Sequence, residues 1–201
     1  FRDDATEAGS VAMTLPSGWT SAAAISVGIT TPGRDRVADI GYKIASSEGT
    51  SYSFQHNGSA SENINCAVSV YSGVNASQLD VTPTASHYVF TADTDAPDPP
   101  SITTSTNGAL VMIFGGATGN TASRTCTAPS GYTLRHGSSD PVDDAFSCVA
   151  DKIVATAGAE NPGAWTINNG NGCPSCTDDT YASVLVVAPA ATSNSALFYV
   201  R

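Results

Sequence analysis

The sequence predicts an all-β protein, a two-layer β-sandwich with internally duplicated halves. Apolar residues alternate with small polar ones along most of the chain, the pattern of half-buried strands. Turn-forming pairs break that alternation at short intervals: Pro32-Gly33, Asn57-Gly58, Asn107-Gly108, Pro162-Gly163 and Asn169-Gly170. Asn-Gly readily supplies the positive φ that tight hairpins require. A third observation is that the order of motifs in the first half recurs in the second.

Taken in order, Val11, Met13 and Leu15 share one face of a short strand that stops at Pro16. Ile40, Tyr42 and Ile44 share a face, with Asp39 and Lys43 opposite. Tyr52 and Phe54 alternate with Ser51 and Ser53. Ile64, Cys66, Val68 and Val70 form a further set, expected to face a core. Tyr88 with Phe90 and Trp165 with Ile167 are shorter ones. Leu110 to Phe114 and Val184 to Val187 are continuously apolar, as strands buried on both faces are. Ala22 to Ile29 and Val149 to Ala157 come nearest to a helical stripe. Both are rich in β-branched residues and Gly, so no helix longer than two turns is expected.

Asp93 to Pro100, DTDAPDPP, is a stiff polar seam, because its prolines cannot donate to a ladder. Before it the order is Pro16-Ser-Gly-Trp19-Thr20, Lys43-Ile-Ala45, Tyr52-Ser-Phe54, Ala67-Val-Ser-Val70. After it comes Pro129-Ser-Gly-Tyr132-Thr133, Lys152-Ile-Val154, Trp165-Thr-Ile167, Ser183-Val-Leu-Val186. Halves of roughly 90 to 100 residues are marginal for separate burial. The expected organisation is one domain over 1–190, with pseudo-repeat halves about 1–92 and 101–190 and a seam at 93–100. Residues 191–201 form a C-terminal extension strand, centred on Leu197 to Val200. It would either close the sandwich or pair with a neighbouring subunit's edge, the second being favoured.

Composition narrows the function classes. Apolar residues make up 41% of the 201 and charged ones only 13%, enough for a real core and against disorder. Eight basic residues against 18 acidic give a net charge of −10, so nucleic acid is not an expected partner. No run of about 18 apolar residues exists, and membrane insertion is not expected. Phe1 opens the chain without an initiator Met, which reads as processing, a fragment or an incompletely known start.

The elements PSGWT, YKIA, an aromatic-x-aromatic strand and AVSVYSGV resemble a loose group of β-sandwich modules. Such modules occur in tailed-phage virion proteins and in secreted bacterial surface proteins. The matching residues are Pro16 to Thr20, Tyr42 to Ala45, Tyr52 to Phe54, Ala67 to Val74, Asn107 to Phe114, Pro129 to Thr133 and Tyr181 to Pro189. A buried strand of the kind seen at Gly108 to Phe114 is missing before the first PSGWT, which implies truncation or divergence there. The resemblance implies a jelly-roll-like or related sandwich at a particle or cell surface, and it carries no catalytic motif to transfer.

The candidate chemistry is thin. Cys173-Pro-Ser-Cys176 has redox spacing but sits in a Gly/Asn loop, without the helix that stabilises a thiolate. Structural disulfides are expected from Cys173 and Cys176, and from Cys126 and Cys148, while Cys66 reads as a buried free thiol. His56, His87 and His136 are isolated and lack a partner motif. Loop carboxylates could take structural calcium at Asp93, Asp95 and Asp98, at Asp140, Asp143 and Asp144, or at Asp178 and Asp179; otherwise no cofactor is expected. Trp19, Tyr132 and Trp165 could stack on a sugar ring, although repeated positions favour packing. The sequence thus leads to a non-enzymatic structural protein of a phage virion or similar assembly, at a virion surface or extracellular, serving decoration or host-surface attachment. Its expected partners are other virion or surface proteins and further copies of itself, with a glycan as another. The alternative is a secreted bacterial carbohydrate-binding or adhesion module.

Overall fold

The computed structural model describes residues 2–4, 13–27, 35–56, 63–64, 67–89, 96–118, 125–140, 145–168, 179–189 and 195–200. These residues form strands and turns and contain no helix. Before the proline-rich segment lie β1 (Arg2–Asp4), β2 (Met13–Thr14), β3 (Thr20–Val27), β4 (Asp35–Ile44), β5 (Gln55–His56), β6 (Asn63–Ile64), β7 (Ala67–Ser72), β8 (Val74–Leu79) and β9 (Thr84–Val89). After it lie β10 (Ile102–Thr103), β11 (Ala109–Thr118), β12 (Thr125–Thr127), β13 (Thr133–Asp140), β14 (Ala145–Val154), β15 (Ala159–Glu160), β16 (Thr166–Asn168), β17 (Asp179–Pro189) and β18 (Ser195–Val200). Of the two segments with a trace of helical spacing, residues 22–27 lie in strand β3 and residues 149–154 in strand β14.

Two six-stranded antiparallel sheets carry the fold. In the first, β3 runs along one edge of β4. The other edge of β4 takes β18 opposite Ile40 to Ile44 and β1 opposite Asp35 to Val37. Outside these, β7 pairs with β18 and β6 with β1. The second sheet runs β13, β14, β11, β17, and the far edge of β17 is shared by β9 and β8. Each sheet therefore borrows from the other half of the sequence. β8 and β9 precede the seam yet join the second sheet, and β18 follows it yet joins the first.

The second sheet is buried on both faces, as the continuous apolar runs require. Val111, Met112, Ile113 and Phe114 of β11 are fully buried, and so are Val184, Val186 and Val187 of β17. One face gathers Val111, Ile113, Phe146, Cys148, Ala150, Val184 and Val186 under Trp165 and Tyr132. The opposite face gathers Met112, Phe114, Val149 and Val187 with Ile40, Ala67 and Tyr42 of the first sheet. That second cluster joins the two sheets.

Two expectations are corrected. Val68 and Val70 do not face a core; they are 51% and 65% exposed. The parity of β7 is set by Ala67, buried in the shared cluster, and by Tyr71, packed against it, so residues 68 and 70 must point outward. Cys66 itself lies outside the described residues. The second correction concerns Leu197 to Val200, expected to pair with a neighbouring subunit's edge rather than close the sandwich. β18 sits inside the first sheet with both edges paired, to β4 and β7, and so presents no vacant ladder.

Candidate functional site

The two PSG-aromatic motifs build the same local device. The Trp19 amide donates to the Pro16 carbonyl and the Tyr132 amide to the Pro129 carbonyl, both at 3.1 Å. Gly18 and Gly131 take φ of +83° and +84°, the left-handed value that the third residue of a type II turn needs. Each turn folds its aromatic ring onto the neighbouring sheet. Trp19 meets Tyr52 and Phe54 edge-on, with centroids at 5.4 and 5.7 Å, over Leu15 and Ala45. Residues 51–54 form no ladder, but their alternation is kept: Ser51 and Ser53 are exposed, while Tyr52 and Phe54 pack on Trp19.

A lysine closes each device. Lys43 of β4 bonds Glu48 at 2.8 Å and lies 5.5 Å from the Tyr52 ring centre. Lys152 of β14 bonds Glu160 at 2.7 Å and lies 5.5 Å from the Tyr132 ring centre. In the first device the Tyr52 hydroxyl donates to Glu48, and in the second the Tyr132 hydroxyl donates to Glu160 at 3.0 Å. The hydrogen bond from Lys43, then those from Tyr52 and the Ser46 amide, hold the Glu48 carboxyl at about 2. Burial, reinforced by Glu160, pushes the Tyr132 phenol well above its usual range. Sequence reading found the Lys and the aromatic of each motif but not the Glu. Glu48 and Glu160 stand five and eight residues past their lysines, so the spacing gives no fixed signal.

The three rings proposed as sugar platforms are packing residues. Trp19, Tyr132 and Trp165 are 8%, 9% and 2% exposed. Their repeated positions serve the same packing task in each half, which leaves no ring face for a ligand. Cys126 and Cys148 are joined by a disulfide, with Cα atoms 6.5 Å apart, tying β12 to β14. Cys173, Cys176, Asp93, Asp95, Asp143, Asp144 and Asp178 lie outside the described residues, and the side chains of Asp140, Asp179, His56 and His87 are likewise not described. Among the described residues, no three His, Cys, Asp or Glu side chains gather around a point where a metal ion would sit.

Asp151 is a buried charge bonded from both sheets. Arg135 grips it through two of its nitrogens, Nε donating to Oδ2 at 2.7 Å and Nη2 to Oδ1 at 2.8 Å. The Tyr71 hydroxyl reaches the same Oδ2 from the first sheet at 2.8 Å. Close by, chain crosses between sheets twice: Ser72-Gly73-Val74 links β7 to β8, and residues 190–194 link β17 to β18. Ser195 pairs with Ser72, and Pro189 with Val74, so the two crossings start and end side by side. An open cleft of about 210 Å³ lies there, lined by Tyr71, Val74, Leu110, Ile153, Val187 and Pro189 among others. Ile153 is 70% exposed on its rim.

No protein-family model, curated protein or solved structure matches the chain. No helix among the described residues is long and apolar enough to cross a membrane.

Proposed function

We propose that this chain is a non-enzymatic structural module, a two-layer sandwich folded as one unit, which associates with further copies on a virion or similar extracellular surface. One observation carries the reading: Val68 and Val70 stand 51% and 65% exposed on β7, an outer strand of the first sheet, in an otherwise acidic chain. Val68 and Val70 stand two residues apart on β7 and so share its outward face. Apolar residues grouped in this way favour contact with another protein. Successive polar side chains of β14 are separately paired, Asp151 with Arg135 and Lys152 with Glu160, which suits a rigid scaffold.

The Cys126–Cys148 bridge supports an oxidising location such as a particle exterior. The adhesion alternative would draw on the same outer surface, since the three candidate stacking rings are buried. Sedimentation of the purified chain tests the proposal. Concentration-dependent association is expected, weakened at least tenfold in V68T/V70T. Because each copy carries a charge of −10, association should tighten as salt screens the repulsion. A monomer at every concentration and salt would overturn it, and a glycan-array signal from that monomer would favour adhesion.

A further inference from the structure

The strands that end the two sheets differ in how their outer edges are guarded. A bare edge is a template for a further strand, and bulges, charges and prolines spoil that template. β3 pairs with β4 through a register shift between Ser21 and Ala23, and β13 pairs with β14 through one between Leu134 and His136. The charged Arg135 sits at the second of these shifts. β8 meets β17 through a shift between Val187 and Pro189. Ser86 of β9 donates to the Asp98 carbonyl of the proline-rich segment at 3.1 Å.

β7 has none of these guards. Its sequence, Ala67-Val-Ser-Val-Tyr-Ser72, includes no charged residue and no proline. All six residues pair with β18 in unbroken register, from Ala67 opposite Val200 to Ser72 opposite Ser195. Along its other edge, β7 takes no ladder partner among the described residues. The Tyr71 hydroxyl anchors the strand to Asp151 of the second sheet, so the edge is held in place.

We infer that this edge is completed by the same edge of a second copy of the chain, the two β7 strands running antiparallel across a two-fold axis at Ser69. The inference deepens the proposed self-association, on which it rests, by naming the strand that joins the copies. The strand matches itself. With the axis at Ser69, Val68 lies opposite the second copy's Val70 and Val70 opposite its Val68, so four exposed valines meet on one outward face. On the inward face Ala67 falls opposite Tyr71, small against large. Charge points to the same occupant. Two copies at −10 each repel, and an uncharged strand lets them approach without like charges directly opposed. Both copies offer the same edge, so the contact closes as a dimer.

Two differently tagged full-length chains test the register, one V68C and the other V70C, mixed in the folded state and oxidised beside unsubstituted chains as background. Directly opposed positions bring Cβ atoms to about 5 Å, close to the span of a disulfide. The mixture is expected to yield disulfide dimer about fivefold or more above V68C alone or V70C alone, whose like positions lie on the diagonal. Association by sedimentation with like and mixed pairs bonding equally overturns edge pairing and leaves self-association standing. A monomer at every concentration overturns both. Hydrogen exchange of the unsubstituted chain answers the same question should the cysteine variants fail to fold. Alternate amides across residues 67–72 are expected to slow as rising concentration drives association, because those facing away from β18 gain an acceptor. Association that leaves these amides unchanged contradicts the pairing.

Discussion

The Tyr71 hydroxyl donates to Oδ2 of Asp151 at 2.8 Å, joining β7 of one sheet to β14 of the other across 80 positions of sequence. Asp151 is 3% exposed, and its charge is balanced from the second sheet by the forked contact of Arg135. A buried carboxylate is held only where a cation and hydrogen-bond donors compensate its lost hydration.

Removing the two donors should therefore cost unequally. Tyr71→Phe deletes one hydrogen bond to a charged acceptor and should lower stability by roughly 1.5–3 kcal/mol. Arg135→Met strips the cation and should cost about 3–5 kcal/mol, because it leaves a buried charge uncompensated. Denaturant unfolding of each variant measures this. Equal, small effects would mean that solvent carries the Asp151 charge.

The pH limits follow from the devices around Lys43 and Lys152. Glu48 is held at about 2 against an ordinary 4.5, so its ionised form stabilises the fold above that ordinary value. That contribution is lost as pH falls toward 2. In Glu48→Gln the stability lost between those values should be smaller, as read from acid unfolding at fixed salt. At the alkaline end, burial and then Asp151 raise the Tyr71 phenol, while burial and then Glu160 raise Tyr132. Their contribution is present below the ordinary value of 10 and is lost as pH rises through the folded-state value. Both should ionise late, with unfolding, in an ultraviolet phenolate titration.

Breaking the Cys126–Cys148 bridge releases a loop spanning 22 positions. C126A/C148A should lose roughly 3 kcal/mol, the amount expected when a loop of that order is no longer closed in the unfolded chain. The guanidinium midpoint reports it, compared at equal slope. An unchanged midpoint would place β12 outside the cooperative fold.

Gly115→Ala is a packing test. An added Cβ would lie 2.7 Å from Nε1 and 2.8 Å from Cδ1 of Trp165, a ring that is 2% exposed. A rigid indole has nowhere to retreat, so a cost of about 1–3 kcal/mol and a shift in tryptophan emission are expected. At Gly41 the same Cβ would meet the Leu15 methyls at 2.9 Å, which can turn aside, and the cost should be smaller.

How much of this was legible in the sequence divides along physical lines. Local rules worked where the cause was local. The PSG turns, the alternation at Ile40 and Tyr42, and the doubly buried run from Val111 to Phe114 all follow from neighbours a few residues away. The face of β7 did not, because Val68 and Val70 look inward by hydropathy, while Ala67 and Tyr71 fix the parity through contacts with the second sheet. The exchange of β8, β9 and β18 between sheets was likewise invisible, since ladder partners so far apart leave no spacing to read. Of the candidate site, the Cys126–Cys148 pair was anticipated. The Glu48, Glu160 and Arg135 contacts were missed, as each depends on a loop length or strand neighbour that composition does not encode.

Calorimetry reaches the central claim most directly, that strands traded between the sheets bind both halves into one folding unit. A single transition is expected, with calorimetric and van't Hoff enthalpies equal. Two separable transitions, with Tyr71→Phe moving only one of them, would contradict it.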